Sequence, residues 1–590
     1  MSSSRKETRS RPWWDAFQNV VERERFFHWE LEYPEVFLDS EQGGFDAALG
    51  NPPWDEVRPK KYEFYGRYDI LIRAYKGNEL DRRIHELHAR NPVLKREFEK
   101  YSRRLVVMRN LLRQISDFPL SEARSHLSRV DISKYFIDRG AKIIRENGML
   151  AFVVPSILYN GDACVGIRRF LLKDCTIKQF YGFENRKKIF PIDSRYKFVT
   201  LVFRKSPPKQ DGFWAAFMRH DPRELEEDEL KPWMVWITPA EIEWLSPETL
   251  AFLEYRGPRD QEIIHKMHRS RPALGGDDPR GWAAQLYDYL AHMNLFNSTW
   301  DKDLWTDPKT GRLHTPISVL REVPSDRGDV IRVMREFGFW PVYEGKHIEQ
   351  YLVGIKPIFW WLSVAQAKSK YGKLPRAEAT LVYRETASNT NQRTCIAAVL
   401  PPCSAGSHKL SAILVYNVDP YVATSVLNSF CFDFALRLRT AGTQVSFTYI
   451  KPMPVPPAEV TNSLPRLPTM NAWEIGIDNV SEKSDLWHDV WTINRAVTEA
   501  YGLTPDDFDH ILNSFPVLTR KRPEFFAYLR GKLTEWKAEV EGEIHQSKRD
   551  QFATLATSAA MTADASSPYP PENGDLTPVQ EKIDDKPSEK

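Results

Sequence analysis

The residues best suited to chemistry stand at Asn51-Pro52-Pro53-Trp54, directly after the short apolar run Phe45-Asp-Ala-Ala-Leu-Gly50. An apolar run that stops in a rigid turn reads as a buried strand whose carboxyl end is held open. Pro52 and Pro53 fix two successive φ angles and remove two backbone donors, so the Asn51 amide and the carbonyls of Asn51 and Pro52 can face outward as acceptors. Acceptors so placed suit an amine. The lone pair of a planar exocyclic amino group is delocalised into its ring, and two acceptors on its hydrogens favour the pyramidal geometry that frees it as a bond forms. Trp54 adds a flat face on which a base drawn out of its stack could lie.

The turn resembles the catalytic motif of amino-group methyltransferases, whose usual form is Asp/Asn/Ser-Pro-Pro-Tyr/Phe/Trp. That resemblance implies S-adenosylmethionine as methyl donor. The Asn form is shared by adenine-specific DNA enzymes and by some protein-glutamine methyltransferases, so the motif implies the reaction before the substrate.

The elements that must position this turn belong to a chain of 590 residues, a length for about three or four domains. The net charge of +2 gives no global basic signature, so a nucleic-acid surface has to be a local patch. Five cysteines without a Cys-x-x-Cys pair argue for a reducing compartment, and the spacing of Cys395, Cys403 and His408 matches no zinc pattern. His28 and Glu30, set among aromatic residues, read as packing partners. Nothing at the N-terminus reads as a signal peptide and no apolar run approaches the roughly 18 residues of a membrane helix, so a cytoplasmic protein is expected.

Residues 1–12 read as disordered. Residues 60–129, dense in Arg, Lys and Glu with apolar residues at helical intervals, read as two or three amphipathic helices. Asp131 reads as the N-cap of a further helix, followed by the continuous apolar strand Met149–Val154 and by strands at 177–183 and 198–203. The Trp-, Tyr-, Arg- and Pro-rich stretch 211–457 reads as one mixed domain. Within it Arg384, Asn389, Asn391 and Arg393 offer guanidinium forks and short amides that could read base edges or hold phosphates, or could merely form a polar turn between strands. Pro452–Pro468 reads as a linker, 458–553 as linker and helical cap, and 554–590 as a disordered tail.

Several separated stretches together resemble the Eco57I-like restriction-modification methyltransferases and their phage-defence relatives: Phe27–Phe37, Phe183-Glu-Asn-Arg-Lys-Lys-Ile-Phe-Pro191 through Phe198, Tyr343–Lys346, Tyr383–Asn391, Leu427–Phe430 and Gln444–Pro457. The resemblance implies an α/β fold: a doubly wound, Rossmann-like catalytic sheet over 13–210, then an α+β target-recognition domain and a helical C-terminal region. It implies double-stranded DNA as partner and adenine as target, with Asn51, Pro52, Pro53 and Trp54 catalytic and Phe190 or Phe198 opposite Trp54 against the base. Lys187, Lys188, Arg195 and Lys197 are then candidates for phosphate contacts.

Family members have seven strands, of which the first three carry the cofactor after a glycine-rich turn. No Gly-x-Gly precedes Phe45, and the strands here resemble the fourth to seventh. Such a sheet would expose the edge of its central strand, so a partner polypeptide supplying strands one to three is expected, unless the chain is the remnant of a broken gene. The rival of a different class is a non-catalytic DNA-specificity subunit. A protein-glutamine methyltransferase has no need of the long downstream region. The expected behaviour is weak or absent binding of S-adenosylmethionine by the purified chain in calorimetric titration. Affinity in the low micromolar range would show the cofactor site to lie within this chain.

Overall fold

The computed structural model describes residues 11–38, 43–114, 117–121, 130–226, 231–287, 302–371, 378–387, 391–407, 409–440, 442, 444–467, 470–471 and 484–563. The expectations for residues 1–10, Asn389, His408 and 564–590 lie outside that set. Two compact units are present, Met1–Phe526 and Ala527–Lys590. Among the described residues no helix is long and apolar enough to cross a membrane.

A six-stranded mixed sheet carries the Asn51 turn. Its strands are β1 (Phe45–Gly50), β2 (Ile144–Pro155), β3 (Thr176–Glu184), β4 (Lys197–Arg204), β5 (Phe213–Arg219) and β6 (Val235–Ile237), in the order β1-β2-β4-β3-β5-β6. β1 runs parallel to β2, while β4 is antiparallel to both β2 and β3. Leu150, Val154, Phe180, Val199, Leu201 and Phe203 are almost wholly buried, as continuous apolar runs of a covered sheet require. The boundary expected at 210 falls inside this sheet, because β5 pairs with β3 and extends it.

β1 departs from the expectation of a buried strand. It is an edge strand, none of its residues is buried, and Leu49 is 87% exposed. An apolar run specifies a strand that one neighbour can complete on one side only, and here β2 is that neighbour. The junction into β2 is tight: Asn147 adopts φ 62°, and a Cβ on Gly148 would meet the carbonyl oxygens of Arg145 at 2.9 Å and Phe45 at 3.1 Å.

Helix α1 (Trp14–Glu24) precedes the sheet, and the segment between β1 and β2 is helical, with α2 (Gly77–Arg90), α3 (Pro92–Gln114) and α4 (Ile132–Ile143). The Asp131 carboxylate caps α4, accepting from the Ser133 amide at 2.9 Å. Helix α5 (Val165–Lys173) connects β2 to β3.

Downstream lie three small sheets. They are built from β7 (Gln285–Tyr287), β8 (Phe339–Tyr343), β9 (Ile348–Glu349), β10 (Leu352–Val353), β11 (Trp360–Ser363), β12 (Thr380–Arg384), β13 (Ala397–Leu400), β14 (Ala405–Gly406), β15 (Leu410–Leu414) and β16 (Met470–Asn471). Helices α6 (Pro420–Leu427), α7 (Phe430–Arg439), α8 (Ser484–Ala500), α9 (Pro505–Asn513) and α10 (Pro516–Lys521) follow. The described residues of the second unit lie on α11 (Pro523–Ala563). That helix includes residues 554–563, which sequence composition placed in a disordered tail; the run Ala553–Ala563 is rich in alanine, the strongest helix former.

The boundary expected at 457 is crossed as well. β16 pairs with β10, and the Phe430 amide donates to Asn494 Oδ1 at 2.8 Å, tying α7 to α8. Pro452–Pro468 is no free linker: Met453 and Val455 are fully buried, and the fully buried Trp282 donates its indole N–H to Pro456 O and Thr461 Oγ1, both at 3.0 Å. The Trp282 carbonyl also accepts from the amides of Tyr416 and Asn417.

The Tyr343–Lys346 motif has a structural explanation. The Glu344 amide donates to His347 Nδ1 at 2.8 Å, and His347 Nε2 donates to Pro357 O at 3.1 Å, so the buried imidazole is neutral with a fixed tautomer. Burial pushes its pKa down to about 4, and burial together with Arg439 pushes that of His268 to about 3. Both folded values lie below the ordinary value of about 6.5, so the unfolded chain binds protons that the folded one excludes. Their stabilisation is full above pH 6.5 and is lost as pH falls towards 4. The urea midpoint should therefore fall between pH 6.5 and 4.5, and His347→Gln should make that fall shallower. An unaltered pH slope in the variant would show that His347 titrates normally.

Candidate active site

β1 delivers Asn51 at its carboxyl end, where the side chain is exposed and has no hydrogen-bond partner among the described residues. Pro52 is buried and Pro53 exposed, so one proline wedges into the fold while the other faces out. Trp54 is pinned to the next strand, its indole N–H donating to Val153 O at 3.1 Å. An aromatic group closes around it: Phe190 meets it edge-on at 5.2 Å, while Tyr196 and Phe198 stack on it at 5.8 and 5.7 Å, with interplanar angles of 7° and 29°.

These neighbours differ in accessibility. Phe198 is a core residue, 3% exposed and stacked on Phe183 at 5.2 Å, so it supports the indole from below instead of forming an open wall. Phe190 is half-buried and Tyr196 is 39% exposed. Tyr196 escaped the sequence reading although it stands two residues before Phe198, the spacing that puts side chains on one face of an extended segment.

Phe190 is held by a residue that sequence reasoning also missed. The buried Asn185 amide donates to the carbonyls of Phe190 (3.0 Å), Ile192 (3.3 Å) and Asp193 (3.3 Å), and its oxygen accepts from the Phe190 amide at 3.0 Å. A short amide inside a Lys/Arg-rich loop carried no signal of its own beyond the motif around it.

The phosphate candidates divide. Lys197 is buried and ion-paired with Glu254, whose other oxygen accepts from Tyr159 OH at 2.8 Å; it cannot reach DNA and is withdrawn. The alternation of β4 turns it inward, which its charge concealed. Arg195 is exposed but engaged in a fork with Asp193 (2.7 and 3.0 Å), which holds that carboxyl down to about 2. Lys187 reaches Asp221 at 2.9 Å while remaining exposed, and Lys188 is exposed at φ 53°.

The downstream candidates sit elsewhere in the fold. Arg393 is buried, donating to Asp433 Oδ2 at 2.7 Å and to the carbonyls of Asn428 and Ser429, so it is a structural anchor and not a surface group. Arg437 completes that pair at 2.9 Å from Asp433. Burial opposes the charge on Asp433, but the two guanidinium groups outweigh it and hold the carboxyl below its usual range. Arg384 is bound to Ile348 O and Glu349, and Asn391 has an exposed side chain. Among the described residues no group of three or more His, Cys, Asp or Glu is arranged to hold a metal ion.

Residues 106–190 match the family model of the Eco57I restriction-modification methylase, so the resemblance read from the sequence is found over the stretch that leads to Phe190. No curated protein matches the chain. Among solved structures, the type IIL restriction-modification enzyme MmeI in complex with DNA is 11% identical over 66% of this chain and 53% of its own, with a TM-score of 0.36. The type IIG restriction endonuclease BpuSI is 9% identical over 69% and 52%, with a TM-score of 0.23. The ATP-dependent type ISP restriction-modification enzyme LlaBIII bound to DNA is 10% identical over 71% and 29%, with a TM-score of 0.30. The chain spans about half the length of the first two and less of the third.

Because the buried Asn185 side chain makes four hydrogen bonds to its own loop, Asn185→Ala should cost roughly 1–3 kcal/mol and release the 186–196 loop. Chemical denaturation would show the lowered midpoint, and limited proteolysis should cut that loop first. A wild-type digestion pattern would mean that the loop is held by other contacts.

Proposed function

We propose that the chain carries the catalytic turn, the base-facing aromatic group and the DNA-recognition region of an adenine-specific DNA methyltransferase in a restriction-modification or phage-defence system. The observation that carries this reading is the turn itself: Asn51 stands open at the end of β1, with Trp54 clamped three residues on by Val153 O. The match of residues 106–190 to a restriction-modification methylase family supports it.

The Asn51 oxygen and the Pro52 carbonyl accept hydrogen bonds from the 6-amino group of a flipped adenine and favour its pyramidal form as it becomes nucleophilic. Trp54, with Phe190 at its edge, bounds the base. Stacking of Tyr196 on the indole means that Tyr196 has to move aside for a base to enter.

The donor would be S-adenosylmethionine, which supplies an electrophilic methyl group. The described residues do not fit it, since among them β1 has no neighbour on the side opposite β2, and no Gly-x-Gly turn lies between Met1 and Phe45. Strands that hold the cofactor are accordingly assigned to the free edge of β1. Leu49 at 87% exposure supports that assignment, because burying such a side chain is worth about 1.5–3 kcal/mol. Around the same edge Phe45 packs against Trp29, Tyr33 and Phe37, and Phe27, Leu31 and Leu38 are exposed nearby in sequence. An apolar collection of this kind marks an interaction surface.

A second reading is favoured by one observation. The indole of Trp54 already has two stacked neighbours, as in a packed turn that accepts no base, which suits a non-catalytic DNA-specificity subunit. Asn51→Ala separates the two. With the cofactor-holding strands present, the variant should lose on the order of 100-fold in single-turnover methyl transfer to duplex DNA while binding it normally, the mark of a group that acts in the transition state. Methylation at the parental rate would leave the specificity subunit as the better account.

A further inference from the structure

A cleft of about 840 Å³ opens between the β12–β13 region and helices α8 and α10, well away in sequence from the Asn51 turn. Five cations line it, Arg384, Arg393, Arg520, Lys521 and Arg522, against the single carboxylate of Glu349. Three of the five are already engaged. Arg393 is bound by Asp433, Arg384 by Glu349, and Arg522 lies over the Phe525 ring at 4.9 Å. Arg520 and Lys521 differ: both are exposed, and neither forms an ion pair with any described residue.

The same cleft holds amide side chains. Asn391 is exposed and Gln392 half-buried, and their backbone carbonyls are fixed by Arg437 Nη2 at 2.9 and 3.0 Å. Arg437 is in turn locked to Asp433, which also accepts from the Thr394 amide at 3.1 and 3.0 Å. The buried charges thus hold the backbone of Asn391 and Gln392, whose side chains share one cleft with the two unpaired cations. Side-chain amide donors on a fixed backbone beside unpaired cations match the oxygens of a phosphodiester chain, which position a duplex without reading its sequence.

We propose that this cleft holds the phosphodiester backbone of DNA, with Arg520 and Lys521 contacting phosphates and Asn391 and Gln392 donating alongside. The proposal rests on the DNA-methylation reading and adds to it a contact surface contributed by the helical region. It also explains why Arg393, which resembles a DNA contact in sequence, is inside: its task is to hold the loop that carries Asn391.

The test is anisotropy of a labelled mixed-sequence duplex with the full-length chain from 50 to 300 mM salt. Each phosphate contact contributes about 0.9 to the slope of log affinity against log salt. Arg520→Ala/Lys521→Ala should lower the slope by about 1.8 and weaken binding roughly tenfold at 0.1 M salt. Arg520→Lys/Lys521→Arg should keep the wild-type slope, which a role in helix packing would not require. Duplex binding by the wild type with an unchanged slope in the alanine variant overturns the cleft while leaving the DNA reading intact. Absence of duplex binding by the wild type at 50 mM salt overturns the DNA reading itself and this proposal with it. Displacement of the duplex by millimolar ATP, lost in the alanine variant, would instead make the cleft a mononucleotide site and overturn the proposal.

Discussion

Backbone groups at a strand edge need partners, and among the described residues β1 has them on one side only. Every feature of the Asn51 turn hangs from that strand: Gly50 is registered opposite Phe152, Trp54 is tied to Val153, and Asn51 stands where the ladder ends. The turn is therefore as well placed as the β1–β2 pairing is stable. Two neighbours would hold such a strand more firmly than one, so a strand added on the open side would steady the turn as well as cover Leu49.

Buried charge does the corresponding work downstream. Asp433 gathers Arg393, Arg437 and the Thr394 amide, and Glu254 gathers Lys197 and Tyr159. Removing one partner from such a group would strand an ion in an apolar interior, which costs far more than the loss of an exposed pair. These groups fix loop and strand positions over long sequence separations, and their basic members are therefore withdrawn from solvent.

The alternation of apolar runs with helical stretches made the six-stranded sheet legible: β2, β3 and β4 lie within a few residues of where apolar continuity put them, and Asp131 caps α4. Exposure was not legible, because an apolar strand reads the same whether one or two neighbours cover it; β1 shows this. Charge misled in a similar way. Lys197 and Arg393 carry the residue types of DNA contacts, and only tertiary pairing with Glu254 and Asp433 shows that they face inward. Composition also divided the chain too finely. The prolines of 452–468 suggested a linker, but the hydrogen bonds to Trp282 depend on a partner more than 170 residues away, beyond the reach of any local pattern.

The carbonyl of Trp282 takes the amides of Tyr416 and Asn417 at 3.2 and 3.3 Å, so the chain leaves and re-enters the surrounding fold at neighbouring points. Everything from β7 to β15 is strung between those two points. A stretch with adjacent ends can lengthen, shorten or be exchanged without pulling its host apart, as inserted domains commonly are. Recombination at these junctions would replace the inserted stretch in one step while the six-stranded sheet stayed untouched. The exchange has one condition: an incoming cassette must bring a basic group to join Arg437 on Asp433, or it leaves that buried carboxylate with only one of its two guanidinium partners.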